Sequence, residues 1–144
     1  MTKAVDFSVI TPTCGERPRG LQQAVDSVAG AAVEAGLLES GGVEMLVGFD
    51  GVKGDRPDGG DFIRCFDLPM DKDYGNGIRP LLMKQARGRR LLFLDDDNVL
   101  APEAFSIYLR HLGADLAIAR IDTSRAFPDA SHIPVHREGV SLVR

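Results

Sequence analysis

Leu91-Leu92-Phe93-Leu94 narrows the choice of fold more than any other stretch of this chain. It is an unbroken apolar run with Arg89-Arg90 before it and Asp95-Asp96-Asp97 after it. A half-exposed strand alternates apolar and polar residues. A continuous run cut off by charge at both ends reads as a strand buried on both faces, as in a parallel sheet. Parallel neighbours need crossover connections of a dozen or more residues, usually helices. The run therefore predicts an α/β chain. With 44% hydrophobic and 26% charged residues in a length of 144, the composition is that of one globular domain.

The remaining pattern supplies strands and crossovers. Val5 to Thr11 is β-rich and ends at Pro12, and Val43 to Phe49 is a second strand, stopped by Asp50-Gly51. Between them, Leu21, Val25, Val28 and Ala32 fall at helical spacing, with Pro18 suited to the first turn and Gly36 to the end. Phe62 to Phe66 predicts a short third strand. Ile78 to Arg87 predicts a helix, and Arg90 to Leu94 a fourth strand. A third helix opens at Pro102 with Phe105, Leu109 and Leu112 inward, and a fifth strand is predicted over Asp115 to Ile121. Residues 122–144 read as irregular, with a short strand at Gly139 to Val143. The Gly-, Asp- and Pro-rich loop from Gly51 to Asp61 reads as flexible, a cover for a ligand or simply disordered.

Right-handed crossovers place the first strand centrally, the second and third to one side and the fourth to the other. The first and fourth then flank the point where strand order reverses, and ligands in such sheets bind outside the carboxyl ends there. Those ends carry Pro12-Thr13, Asp50-Gly51 and Asp95-Asp96-Asp97-Asn98. Three adjacent carboxylates repel by roughly 3 kcal/mol per pair at an effective dielectric near 20. One must take a proton, or a cation must sit among them. Hard cations such as Mg²⁺ or Mn²⁺ suit oxygen ligands and often share one or two carboxylates with substrate phosphates. A structural alternative is that the acids cap the following helix.

Four segments in order resemble the nucleotide-sugar-binding half of family-2 glycosyltransferases, which have the GT-A fold. Phe7-Ser8-Val9-Ile10-Thr11-Pro12-Thr13 is similar to the opening strand and its Pro-Thr turn. Val43 to Gly51 is similar to the second strand, Gly77 to Gly88 to the helix with an Ala-x-Gly ending, and Phe93 to Asn98 to the DxD motif. The resemblance spans roughly residues 5 to 121. It implies a GT-A, Rossmann-like, mostly parallel sheet flanked by helices, here a single domain over 1–144 that is short in its C-terminal acceptor half. Asp97 would coordinate a divalent cation, Mn²⁺ or Mg²⁺, with Asp95 beside it. Asp95 and Asp96 would contact ribose or metal-bound water, Asp50 would read the nucleoside, Pro12 and Thr13 would line the base pocket, and Arg79 would lie near base or diphosphate. The implied activity is metal-dependent transfer of a sugar from a nucleoside-diphosphate donor, a UDP-sugar by default, to an acceptor the sequence does not identify. The sequence departs from the family pattern at Phe49 and Val52, which stand where the first Asp and the Ser of Asp-Asp-Gly-Ser are usual, at Pro80, which stands where Asn is usual, and at Gly15, where the opening turn often has Asn. Only 47 residues follow Asp97, and no acceptor base is assigned.

Two other readings compete. The chain can bind a nucleotide or its sugar conjugate without turnover. A haloacid dehalogenase-type phosphatase also places Asp-x-Asp after an apolar strand, but it needs a later Lys and a second acidic pair. No Lys follows Lys84, and no acidic pair follows the triplet. The four basic residues from Lys84 to Arg90 read as a solvated helix end, with diphosphate contact as the alternative. A formal charge of −4 argues against broad nucleic-acid binding. No apolar run approaches the ~20 residues of a membrane span, and the acid at Asp6 interrupts any signal peptide, so a cytoplasmic protein is expected. Cys14 and Cys65 are expected to be reduced thiols, and an exposed sheet edge would favour a homo-oligomer.

Overall fold

β1 (Phe7–Thr13) lies between β2 (Val43–Asp50) and β4 (Arg90–Phe93), and β3 (Ile63–Leu68) completes an all-parallel sheet in the order β3-β2-β1-β4. This computed structural model describes residues 4–122. The chain divides into two units, residues 1–110 and 111–144, and among the described residues every helix and strand lies in the first. The helices are α1 (Pro18–Glu34), α2 (Leu37–Ser40), α3 (Ile78–Gln85) and α4 (Ala104–Arg110). The strand order is the one the crossover rule predicts, and the fold is α/β and Rossmann-like. None of the helices among the described residues is long and apolar enough to cross a membrane.

Two apolar layers hold the sheet. On one face Val9, Met45, Val47, Phe49, Leu92 and Leu94 pack against Leu21, Val25 and Val28 of α1 and Phe105 of α4. On the other, Ile10 and Leu46 meet Ile78 and Leu82 of α3. Gly48 lets α3 come this close, because a Cβ there would sit 2.7 Å from Ile78 Cγ2 and 3.0 Å from Leu82 Cδ1. β1 runs two residues past its predicted end and includes Pro12, although proline removes a ladder donor. The pairing of β1 with β4 stops at Ile10 and Phe93, so only β2 still runs beside β1 at Pro12.

β4 corrects the sequence reading. It is an edge strand buried on one face only: Leu92 and Leu94 face the α1 layer, while Leu91 is 39% and Phe93 53% exposed. The predicted fifth strand is not formed, and residues 114–122 are exposed, with no regular element. Residue types suited to a strand form one only where a neighbouring strand pairs with them, and here none does among the described residues. The third helix is shorter than predicted, and Leu112 lies beyond its end and is exposed. The strand read at Gly139 to Val143 lies outside the described residues.

The amino end of the sheet is tied by a buried carboxylate. Glu44, 5% exposed, accepts hydrogen bonds from Ser8 Oγ (2.7 Å), the Arg87 backbone N–H (2.7 Å) and Arg64 Nη1 (3.0 Å). Ser8 Oγ in turn accepts from the Gly88 N–H at 2.8 Å, so the turn between α3 and β4 is bolted to β1 and β2. The basic run Lys84 to Arg90 therefore lies at the amino end, where Arg90 pairs with Phe7, and not at the acidic edge. Burial alone would push the Glu44 carboxyl up. The Arg87 N–H, the Ser8 hydroxyl and the Arg64 guanidinium outweigh it, and its pKa is lowered. A lowered folded-state pKa gives stability that is full above the unfolded value, about 4.3, and is lost as pH falls through the folded value. Glu44→Gln should cost about 2 kcal/mol at pH 7. In urea titrations the gap between wild type and variant should shrink below about pH 4.5. A gap that stays constant down to pH 3 would contradict the account.

Candidate functional site

The carboxyl ends of β1, β2 and β4 bring the strand-end residues together as the topology predicts. Thr13, last in β1 and buried, donates its hydroxyl to Asp96 Oδ2 at 2.7 Å, and Thr13 Oγ1 itself accepts the Gly15 N–H at 3.1 Å. Asp95, Asp96 and Asp97 follow β4 after Leu94, in a turn closed by the Asn98 N–H on the Asp95 carbonyl. The triplet's repulsion is met from within the chain. Arg79 Nη2 donates to Asp95 Oδ1 at 2.7 Å. Arg17 Nη1 donates to Asp97 Oδ2 at 2.6 Å and lies 3.4 Å from Asp96 Oδ1. Three carboxylates thus share two guanidiniums, which is the charge pairing the sequence argument assigned to a metal ion.

Asp50 ends β2 and is 5% exposed. Its Oδ1 accepts the Asp71 N–H at 2.6 Å and its Oδ2 the Lys72 N–H at 2.9 Å. The carboxylate therefore shapes residues 69–77, the segment between β3 and α3. Gly51 has φ +67°, and a Cβ there would collide with Met70, so β2's end and this segment interlock only through glycine. Lys72 (φ 52°) and Tyr74 (φ 51°) adopt the left-handed conformation at a cost of about 1 kcal/mol each. Asp50 holds the first, and Arg79 Nη1, donating to the Tyr74 carbonyl at 2.8 Å, holds the second. Gly75, buried with φ +79°, lies against Pro12, where a Cβ would sit 2.7 Å from the ring. Pro12, Thr13, Asp50, Arg79 and the triplet therefore belong to one edge, linked through this loop.

Arg17 is the site residue the sequence reading passed over. Its signal was present: it lies four residues beyond Thr13, in the turn leading from the central strand into α1, which opens at Pro18. The loop from Gly51 to Asp61 also differs from expectation. Gln22 donates to the Asp58 carbonyl (2.7 Å) and accepts its N–H (2.9 Å). Arg56 pairs with Asp67 at 2.7 Å and lies 4.3 Å from the Phe49 ring centroid, so the loop is pinned to α1 and β3. Among the described residues, no group of three or more His, Cys, Asp or Glu side chains is placed to hold a metal ion.

Cys14 is exposed beside this edge. Partial burial raises its thiol pKa, the charges of Asp50, Glu16 and Asp96 raise it further, and Arg17 opposes them. A thiol held protonated is a poor nucleophile. A comparison of the sequence with protein-family models finds no match, and a comparison with curated proteins finds none either. In a Cys65→Ser background, the pH profile of Cys14 alkylation by iodoacetamide should inflect above the ordinary thiol value of about 8.5. An inflection below it would contradict the acidic field described here.

Proposed function

We propose that this chain binds a nucleoside-diphosphate sugar at the carboxyl edge of β1, β2 and β4 and transfers the sugar to an acceptor, as its resemblance to family-2 glycosyltransferases implies. The observation that carries this reading is the gathering of the triplet, Thr13, Arg79 and the loop held by Asp50 at the point where strand order reverses. In such sheets this is where nucleotides bind. The alternative of a binding module without turnover uses the same donor site, and donor hydrolysis or transfer separates the two.

The residues fit a divalent cation of the Mg²⁺ or Mn²⁺ kind. Asp97 and Asp95 offer hard oxygen donors, each side chain about half exposed, in the mode where one or two carboxylates share the ion with substrate phosphates. Such an ion neutralises charge that builds on a diphosphate leaving group. Thr13 fixes Asp96 and with it the direction of the triplet. Pro12, with Gly75 packed against its ring, lies at the place proposed for the base. Arg79, anchored on the Tyr74 carbonyl, directs its guanidinium along the edge toward a diphosphate. Asp50 acts by holding the loop that presents these groups, which is its route to nucleoside affinity.

Calorimetry tests the assignment. UDP with Mn²⁺ should bind the wild type, and Asp97→Asn should weaken that binding by about 100-fold or more. Asp50→Ala should weaken UDP binding with or without metal. Equal UDP affinity in wild type and Asp97→Asn would overturn the metal assignment, and loss of only the metal-dependent part in Asp50→Ala would overturn the role given to the loop.

A further inference from the structure

The geometry points to Arg17 as an exchangeable counter-ion: it closes the acidic triplet in the ligand-free chain and leaves Asp97 for the diphosphate when a nucleotide arrives. This inference rests on the donor-site reading above and adds to it a residue and a mode of regulation.

Arg17 differs from the other paired arginines in how it is held. Arg64 joins Glu44 and also the Gln85 carbonyl, Arg79 joins Asp95 and also the Tyr74 carbonyl, and Arg56 joins Asp67 and also lies over Phe49. Among the described residues, the guanidinium of Arg17 has carboxylates alone as partners, Asp97 at 2.6 Å and Asp96 at 3.4 Å. The Arg17 and Asp97 side chains are 54% and 53% exposed. A pair this open contributes little stability and is easily exchanged.

Its position suits the second partner. Arg17 is the N-cap of α1, a 17-residue helix whose N-terminus has no side-chain cap and no acid in its first turn. Gly20 brings that turn against the triplet, where a Cβ would lie 2.9 Å from the Asp96 carbonyl oxygen. The positive end of α1 and the guanidinium thus face the same place. A guanidinium also matches phosphate oxygens as well as it matches a carboxylate, through paired N–H donors.

One carboxylate then has two cationic claimants. While Arg17 holds Asp97, a divalent cation alone must compete with it. A diphosphate removes the competition by taking the guanidinium, so nucleotide and metal bind cooperatively. Removing the Arg17 charge therefore has effects of opposite sign: the bare ion binds better and the nucleotide binds worse. A purely structural role for Arg17 would move both in the same direction.

Titration calorimetry on wild type, Arg17→Gln and Arg17→Lys reads both arms, first with MnCl₂ alone and then with UDP at saturating Mn²⁺. Arg17→Gln should bind Mn²⁺ about fivefold tighter than wild type and UDP about tenfold weaker, with Arg17→Lys between them. Circular dichroism of the variants should match wild type. If Arg17→Gln binds Mn²⁺ no tighter, or binds UDP as wild type does, the exchange is overturned while the donor site stands. If wild type binds no UDP with Mn²⁺, the donor reading falls, and the manganese arm alone then decides whether Arg17 competes for Asp97.

Discussion

Three carboxylates in a row at the end of a strand impose a constraint that the rest of this architecture answers. At close range each like pair is worth roughly 3 kcal/mol of repulsion at an effective dielectric near 20. The chain meets it with two guanidiniums from different elements, Arg17 at the start of α1 and Arg79 in the first turn of α3, and with the Thr13 hydroxyl from β1. Each partner arrives because the strands are all parallel, so that the connections leaving β1 and β3 begin at the edge where β4 ends. The triplet is therefore a meeting point for β1, the start of α1 and the first turn of α3.

The two ends of the sheet are built on contrasting electrostatics. At the amino end Glu44 is buried, fully hydrogen-bonded and matched to Arg64, an arrangement that fixes one geometry. At the carboxyl end the pairs are half exposed and the backbone is strained at Lys72 and Tyr74. Strain of this kind persists where neighbouring contacts over-determine it, here Asp50 and Arg79, and it concentrates where a chain presents groups to a ligand. The two ends are joined by the same strands, so the bolted turn at Gly88 holds β4 in register for the triplet beyond it.

What could be read from the sequence follows from what each signal physically reports. Strand order was legible because crossover handedness leaves few choices once β-rich and helical segments alternate. Asp50 and the triplet were legible because they follow apolar runs directly. The burial of β4 was misread because an apolar run reports hydrophobicity and not the presence of a covering layer, and α3 covers Ile10 and Leu46 but not Leu91 and Phe93. The strand expected over Asp115 to Ile121 failed for a related reason, since local residue types do not report whether a neighbouring strand pairs with them. Arg17 was passed over because a lone arginine in a turn has no pattern of its own. Its meaning appears only when Asp97, 80 residues later in the chain, lies 2.6 Å away.

The most direct test of this account is a crystal structure of the chain with manganese and UDP, with the ion located by its anomalous scattering. The account predicts one manganese peak on the Asp97 carboxylate, bridged to the diphosphate, with the Arg17 guanidinium turned from Asp97 to a phosphate oxygen. Manganese and UDP bound away from the triplet, or the Arg17–Asp97 pair intact beside bound nucleotide, would contradict it.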